Sequence, residues 1–144
     1  MISLHFFRRD TFSTSCKESN LAFKLDIRMI AEKDETEVNV VNGEVASVSL
    51  SNRGKYYKDA LKLTLSAKQH LNTIISSLHS LTPKELPSIK LPIVQIMGIN
   101  CYISCINLVD KNVYVLQDVY TFNYPKTIKE IKEGAIDDIM TVFY

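Results

Sequence analysis

Glycine and proline are scarce in this chain, with four residues of each among 144. Long linkers need one or the other, so the elements are expected to be closely connected. Charge of one sign is not in excess either. Seventeen basic and sixteen acidic residues leave a formal net charge of +1, which excludes bulk polyelectrolyte binding. Any contact with nucleic acid must come from a local patch. There are three cysteines, Cys16, Cys101 and Cys105. An odd count without regular spacing does not describe a disulfide framework, and no further Cys or His lies close enough in sequence to complete a zinc site. Cys101 and Cys105 share a face of a strand-like segment, as small buried hydrophobes do. No apolar run approaches the ~20 residues that span a bilayer. The arginines of the first ten residues follow the short apolar run instead of preceding it, unlike a secretory signal. The expectation is an intracellular protein in a reducing compartment, either nucleus or cytoplasm. A glycine-rich phosphate loop, a Cys/His zinc spacing and a nucleophile elbow are also lacking.

What is present is ordinary globular material, 46% hydrophobic and 23% charged, in a length that suits one domain. A core of this size buries roughly two thirds of the unfolded surface and needs no staple. Residues 1–20 are poorly patterned. Leu4, Phe6 and Phe7 could open a strand, but Thr11, Ser13, Thr14 and Ser15 read as loop. The expected division is therefore an N-terminal segment, 1–20, and a single α/β domain, 21–144. Residues 21–31 alternate, with Leu21, Phe23, Leu25, Ile27 and Met29 on one face and Asp26 among the polar residues of the other. A charged turn leads into a second strand over 36–50, or two strands with a break. Asn42-Gly43 signals a turn or bulge there, which would reset the alternation and re-aim Glu44.

Ser51-Asn52 marks a capped helix start, and the periodicity predicts a helix over 55–78. Its apolar arc collects Ala60, Leu63, Ala67, Leu71 and Ile74, widened by Tyr57, Leu61, Leu65 and Ile75. Lys68 falls inside that arc. Lys55, Lys58, Asp59, Lys62, Ser66 and Gln69 fall opposite, and His70 is also read as polar-side. Pro83, Pro87 and Pro92 break the pattern. Strands are expected over 91–98, 99–109 and 113–122, with a hairpin turn at Asp110-Lys111-Asn112. A final helix over 127–144 opens on a capping box, Thr127 to Glu130, and would bury Ile128, Ile131, Ala135, Ile136, Ile139 and Phe143. The chain ends at Tyr144 without a stop signal, as a fragment or a shortened product would. The fold class is α/β or α+β, a single mixed β-sheet flanked by helices.

Asp26 and Glu44, on neighbouring strands, form the constellation with chemistry in it. Metal-assisted phosphodiester hydrolysis needs carboxylates that hold Mg²⁺ and a lysine that steadies the attacking water or the developing charge. A strand reversal over 31–36 lets the two acids meet. An Asp on one strand, a Glu on the next and a long helix after them resemble the PD-(D/E)xK restriction-endonuclease-like superfamily. The words Gly43-Glu44-Val45-Ala46, Lys55-Tyr56-Tyr57-Lys58-Asp59, Lys68-Gln69-His70-Leu71-Asn72 and Leu91-Pro92-Ile93-Val94-Gln95-Ile96-Met97-Gly98 resemble an uncharacterised family from Mucor- and Rhizopus-type fungi. Many of its members look like remote relatives of that superfamily. The resemblance covers most of residues 21–143. It implies a restriction-endonuclease-like core, a Mg²⁺-dependent nuclease active or decayed, metal ligands Asp26 and Glu44, and a nucleic-acid partner.

Two positions depart from the superfamily's pattern. Ala46 stands where it places the lysine, and Leu25 stands where a proline would precede the first acid. The lysine would then be Lys68, brought in from the helix, with Asp26, Glu44 and Lys68 as the catalytic set. Lys55, Lys58 and Lys62 would contact phosphates. Each residue also has a plainer reading. Asp26 could pair with Arg28 or Lys24 on a strand surface, Glu44 could flank a turn, Lys68 could snorkel, and the other lysines could form a solvated helix face. The alternative for the whole chain is a non-catalytic interaction module with an exposed apolar patch or unpaired edge on the hairpin over 99–122. A small-molecule enzyme has no motif behind it.

Overall fold

Alternating segments pair side by side to satisfy their backbone groups, and here they do so in a single layer. A computed structural model describes residues 3–21, 23–33, 36–78 and 80–141. In order, these hold β1 (Ser3–Phe12), α1 (Thr14–Glu18), β2 (Lys24–Lys33), β3 (Thr36–Ala46), α2 (Arg53–Ser77), β4 (Lys90–Met97), β5 (Asn100–Asp110), β6 (Val113–Asn123), α3 (Ile128–Lys132) and α4 (Ala135–Met140). The six strands make one sheet in the order β1-β2-β3-β4-β5-β6. All neighbours are antiparallel except β3 and β4, which are parallel. Parallel neighbours require a long crossover, and α2 supplies it. The fold is α+β, a mixed sheet flanked by helices. Among the described residues, no helix is long and apolar enough to cross a membrane.

The N-terminal stretch does more than the sequence suggests. β1 is an edge strand, paired with β2 from Ser3↔Glu32 to Phe12↔Lys24. A boundary at residue 20 would cut through this sheet. β1 escapes periodicity because its large apolar side chains stay outside the core, with Leu4 66% and Phe6 60% exposed. After it, Ser13 caps α1 and Cys16 is buried.

β3 keeps Asn42-Gly43 inside the strand. Its irregularity comes earlier, where Ile30↔Asn39 is followed by Met29↔Val41. A Cβ on Gly43 would stand 3.0 Å from both Ile27 Cβ and the Val94 carbonyl oxygen. The glycine therefore marks a close approach from both neighbouring strands, not a turn.

Asn52 caps α2, its Oδ1 accepting the Lys55 N–H at 2.9 Å. Leu63, Ala67 and Leu71 are fully buried against Leu25, Leu91, Ile93 and Ile106, each leucine contributing about 2 kcal/mol. The rest of the helix sits differently from the sequence expectation. Leu61 is 62% and Tyr57 56% exposed, and Lys68 is exposed, whereas Asp59, Ser66 and His70 are buried. The cause lies in the sheet below. β2 and β3 present buried Arg28, Asn39, Asn42 and Glu44, so α2 lays a polar flank over them.

The hairpin from β5 to β6 turns at 110–112, with Asn112 at φ +62°. The final helix divides in two at Gly134, whose φ is +97°. Its start is capped as the sequence implied, with Thr127 Oγ1 accepting the Glu130 N–H at 3.2 Å. The expected buried side is not buried. Ile128 is 74%, Ile131 47% and Ile136 43% exposed, because the break at Gly134 interrupts the stripe after one short helix. Phe143 lies outside the described residues.

Candidate functional site

The parallel pair β3 and β4 places a polar row across the sheet beneath the first half of α2. Glu44 is directly opposite Gln95, and Gln95 is opposite Tyr102 of β5. On the other side, the β2–β3 ladder closes at Ile27↔Gly43. One step further, Asp26 comes alongside Glu44 and its Oδ2 accepts the Val45 N–H at 2.9 Å. Asp26, Glu44, Gln95 and Tyr102 thus run across four strands in sequence order. Gln95 is buried and its Nε2 donates to the Tyr56 carbonyl oxygen at 2.9 Å, which ties the row to the helix.

α2 answers with two acid–lysine pairs. Lys62 Nζ is 2.7 Å from Glu44 Oε1. One turn earlier, Lys55 Nζ is 2.7 Å from Asp59 Oδ1. Glu44 and Asp59 are each only 2% exposed, while the lysine stems reach solvent. Burial is the main cause that raises the Glu44 carboxyl from 4.5 to about 7. Lys62 pulls it down by hydrogen bond and charge, and the charges of Asp26 and Asp59 push it up. Burial works against the Lys55 ammonium, but the Asp59 hydrogen bond, with the charges of Asp59, Glu44 and Asp26, raises it overall. Glu44 is therefore poised to hold or release a proton near neutrality, the condition that general acid–base work requires.

The convergence differs from the sequence expectation in its lysine. Asp26 and Glu44 do come together, but Lys68 does not join them. Its Nζ lies 4.8 Å from the Tyr114 ring centroid, on an exposed part of α2. The reason is helical phase. Residues 55, 59, 62 and 66 follow one another at three or four positions, whereas 68 is six beyond 62 and faces elsewhere at 3.6 residues per turn. Lys55 and Lys62, expected as phosphate contacts, are the two lysines bound to buried carboxylates. Lys58 is exposed.

Reasoning from sequence missed a second buried cluster further along the same flank. His70 Nε2 is 2.7 Å from Ser13 Oγ and 3.3 Å from Cys16 Sγ. Asn39 Nδ2 donates to Ser13 Oγ at 3.3 Å, and Arg28 donates to Asn39 Oδ1 at 2.7 Å and to the Phe12 carbonyl oxygen at 2.6 Å. Burial, with Arg28's charge behind it, lowers His70 to about 3, and burial raises the Cys16 thiol. The pair is a neutral thiol beside a neutral imidazole, not an activated nucleophile. It fastens α1 and the end of β1 beneath α2. The signal that could have revealed both clusters was the polar series Lys55, Asp59, Lys62, Ser66 and His70 at helical spacing.

Beside the acid row is a cleft of about 290 Å³, lined by Ser51, Asn52, Arg53, Tyr56, Met97, Asn100 and Tyr102. Among the described residues, no three His, Cys, Asp or Glu side chains are grouped to hold a metal ion. No protein-family model, curated protein or solved structure matches the chain.

Proposed function

We propose that this is a restriction-endonuclease-like domain that hydrolyses phosphodiester bonds in nucleic acid, with Asp26, Glu44 and Lys62 as its working set. The observation that carries the reading is the 2.7 Å pair of Lys62 with buried Glu44, alongside Asp26. The superfamily's lysine position is Ala46 here, and Lys62 brings an ammonium to the second acid from the helix instead. Two carboxylates suit Mg²⁺, which takes oxygen ligands, keeps several waters and often uses only one or two protein carboxylates. Asp26 and Glu44 would hold the ion, and when bound it would supply Lewis acidity to a phosphoryl oxygen. Lys62 would stabilise the negative charge that builds as water adds to phosphorus. Glu44 could take the water's proton at a carboxylate oxygen as the phosphorus–oxygen bond to the leaving group breaks. The test is cleavage of labelled DNA and RNA with Mg²⁺ or Mn²⁺, comparing wild type with Asp26→Ala, Glu44→Gln and Lys62→Ala. Each change is expected to lower the rate at least about a hundredfold, whereas Lys68→Ala leaves it within about twofold. A wild type that cleaves neither substrate removes the reading.

A second reading, a non-catalytic module that pairs with another copy of itself, is favoured by β6. This edge strand leaves Val113, Val115, Leu116, Val119 and Tyr120 between 41% and 57% exposed. Asp118 is the sole charged residue of its eleven. A long apolar edge of that kind is a template for strand addition.

A further inference from the structure

The cleft next to the acid row has a chemistry of its own. Its inner wall is Tyr56 and Tyr102, packed edge to face with ring centroids 5.2 Å apart. Buried Met97 also lines it, and Asn100 offers an amide that can donate and accept. Arg53 stands at the rim, its guanidinium 5.6 Å from the Tyr57 ring centroid. Among the described residues, no acidic side chain lines the cleft. Burial, then the charge of Asp118, raises the Tyr56 hydroxyl, so it remains a donor at neutral pH. Aromatic rings, an amide and one exposed cation are the parts that hold a base and its phosphate. A volume of about 290 Å³ is at the small end of ligand pockets, which run roughly 300–1,000 Å³, and suits one such unit.

Position adds to composition. Tyr102 is two strands from Glu44 in the same transverse row, which puts the cleft roughly 10 Å from Glu44 at the usual strand spacing. We infer that the cleft is a subsite for one nucleotide of a single-stranded nucleic acid, the base against Tyr56 and Tyr102 and the phosphate on Arg53. The neighbouring strand segment would then run toward Lys62, whose side chain reaches solvent. This rests on the nuclease reading for its choice of ligand, but its test does not depend on catalysis.

The experiment is fluorescence anisotropy with a labelled oligodeoxythymidylate in the absence of divalent metal. Arg53→Glu and Tyr102→Ala are expected to weaken binding about tenfold or more, the usual loss for a stacked base or a phosphate contact. Tyr102→Phe, which keeps the ring, stays within about threefold. Lys111→Glu, the same charge change at the opposite end of β5, also stays near wild type. Arg53 is exposed, so its variant decides the matter even where Tyr102→Ala fails to fold. Binding lost in the cleft variants while no variant or wild type cleaves would uphold the subsite and remove the nuclease. Cleavage by wild type with binding unmoved by Arg53→Glu would remove the subsite and leave the nuclease standing. Equal weakening by Lys111→Glu, or no binding by wild type, would also overturn the subsite.

Discussion

Glu44 on β3 and His70 on α2 are both buried, and their protons pull on stability in opposite directions. Glu44 is raised from 4.5 to about 7, so the folded chain keeps a proton that the unfolded chain releases. Its contribution is complete below about pH 4.5 and fades as the pH rises to about 7. His70 is lowered from 6.5 to about 3, so the unfolded chain takes up the proton instead. That contribution is complete above about pH 6.5 and is lost as the pH falls toward 3. Between about 4.5 and 6.5 the two slopes oppose, each on the order of 1 kcal/mol per pH unit. Relative to wild type, Glu44→Gln should therefore make stability rise more steeply with pH in that window. His70→Gln should make it fall. Urea unfolding at a series of pH values measures both, and indistinguishable slopes in the three proteins would contradict the burial argument. Lys62→Ala should move the Glu44 titration upward, because Lys62 is what lowers it; carboxyl NMR reads this directly.

The long helix is the element whose orientation matters most. α2 has more apolar residues than it buries, so its phase is a choice among several apolar arcs. The structure selects the one that puts Leu63, Ala67 and Leu71 on the core of β4 and β5 and the series Asp59, Lys62, Ser66 and His70 over β2 and β3. The contrast between adjacent leucines tests this. Leu63→Ala should cost about 2–5 kcal/mol by emptying a packed site. Leu61→Ala should stay within roughly 0.5 kcal/mol, as exposed substitutions do. Equal losses in a denaturant titration would mean that the helix is rotated from this position.

On the scale of the whole molecule, the sheet is asymmetric in its edges. β1 at one end is followed by α1, and the cluster of Ser13, Cys16 and His70 clasps it to α2. β6 at the other end keeps an apolar, nearly uncharged edge. If that edge joins two copies, light scattering should give a dimer at micromolar concentration, and Val119→Lys should return it to monomer with melting temperature nearly unchanged. A wild type that stays monomeric throughout would retire the second reading and leave the edge as mere surface.

The amino-acid sequence alone determined which segments alternate and which repeat at helical spacing, because those signals are local. Hence the strands expected over 21–31 and 113–122, found at 24–33 and 113–123, were legible, as were the helix cap at Asn52, the capping of Thr127 and the mixed-sheet class. It also put Asp26 and Glu44 on neighbouring strands, since the turn between those strands is short. Tertiary structure alone decided which face of α2 turns inward, because that depends on what a distant strand presents: Arg28, Asn39, Asn42 and Glu44 drew the polar flank down. It therefore chose Lys62 over Lys68, recruited Ser3–Phe12 as a strand and joined Cys16 to His70 across more than fifty residues. Periodicity counts apolar residues along one element, and it carries no record of the surface that the element will meet.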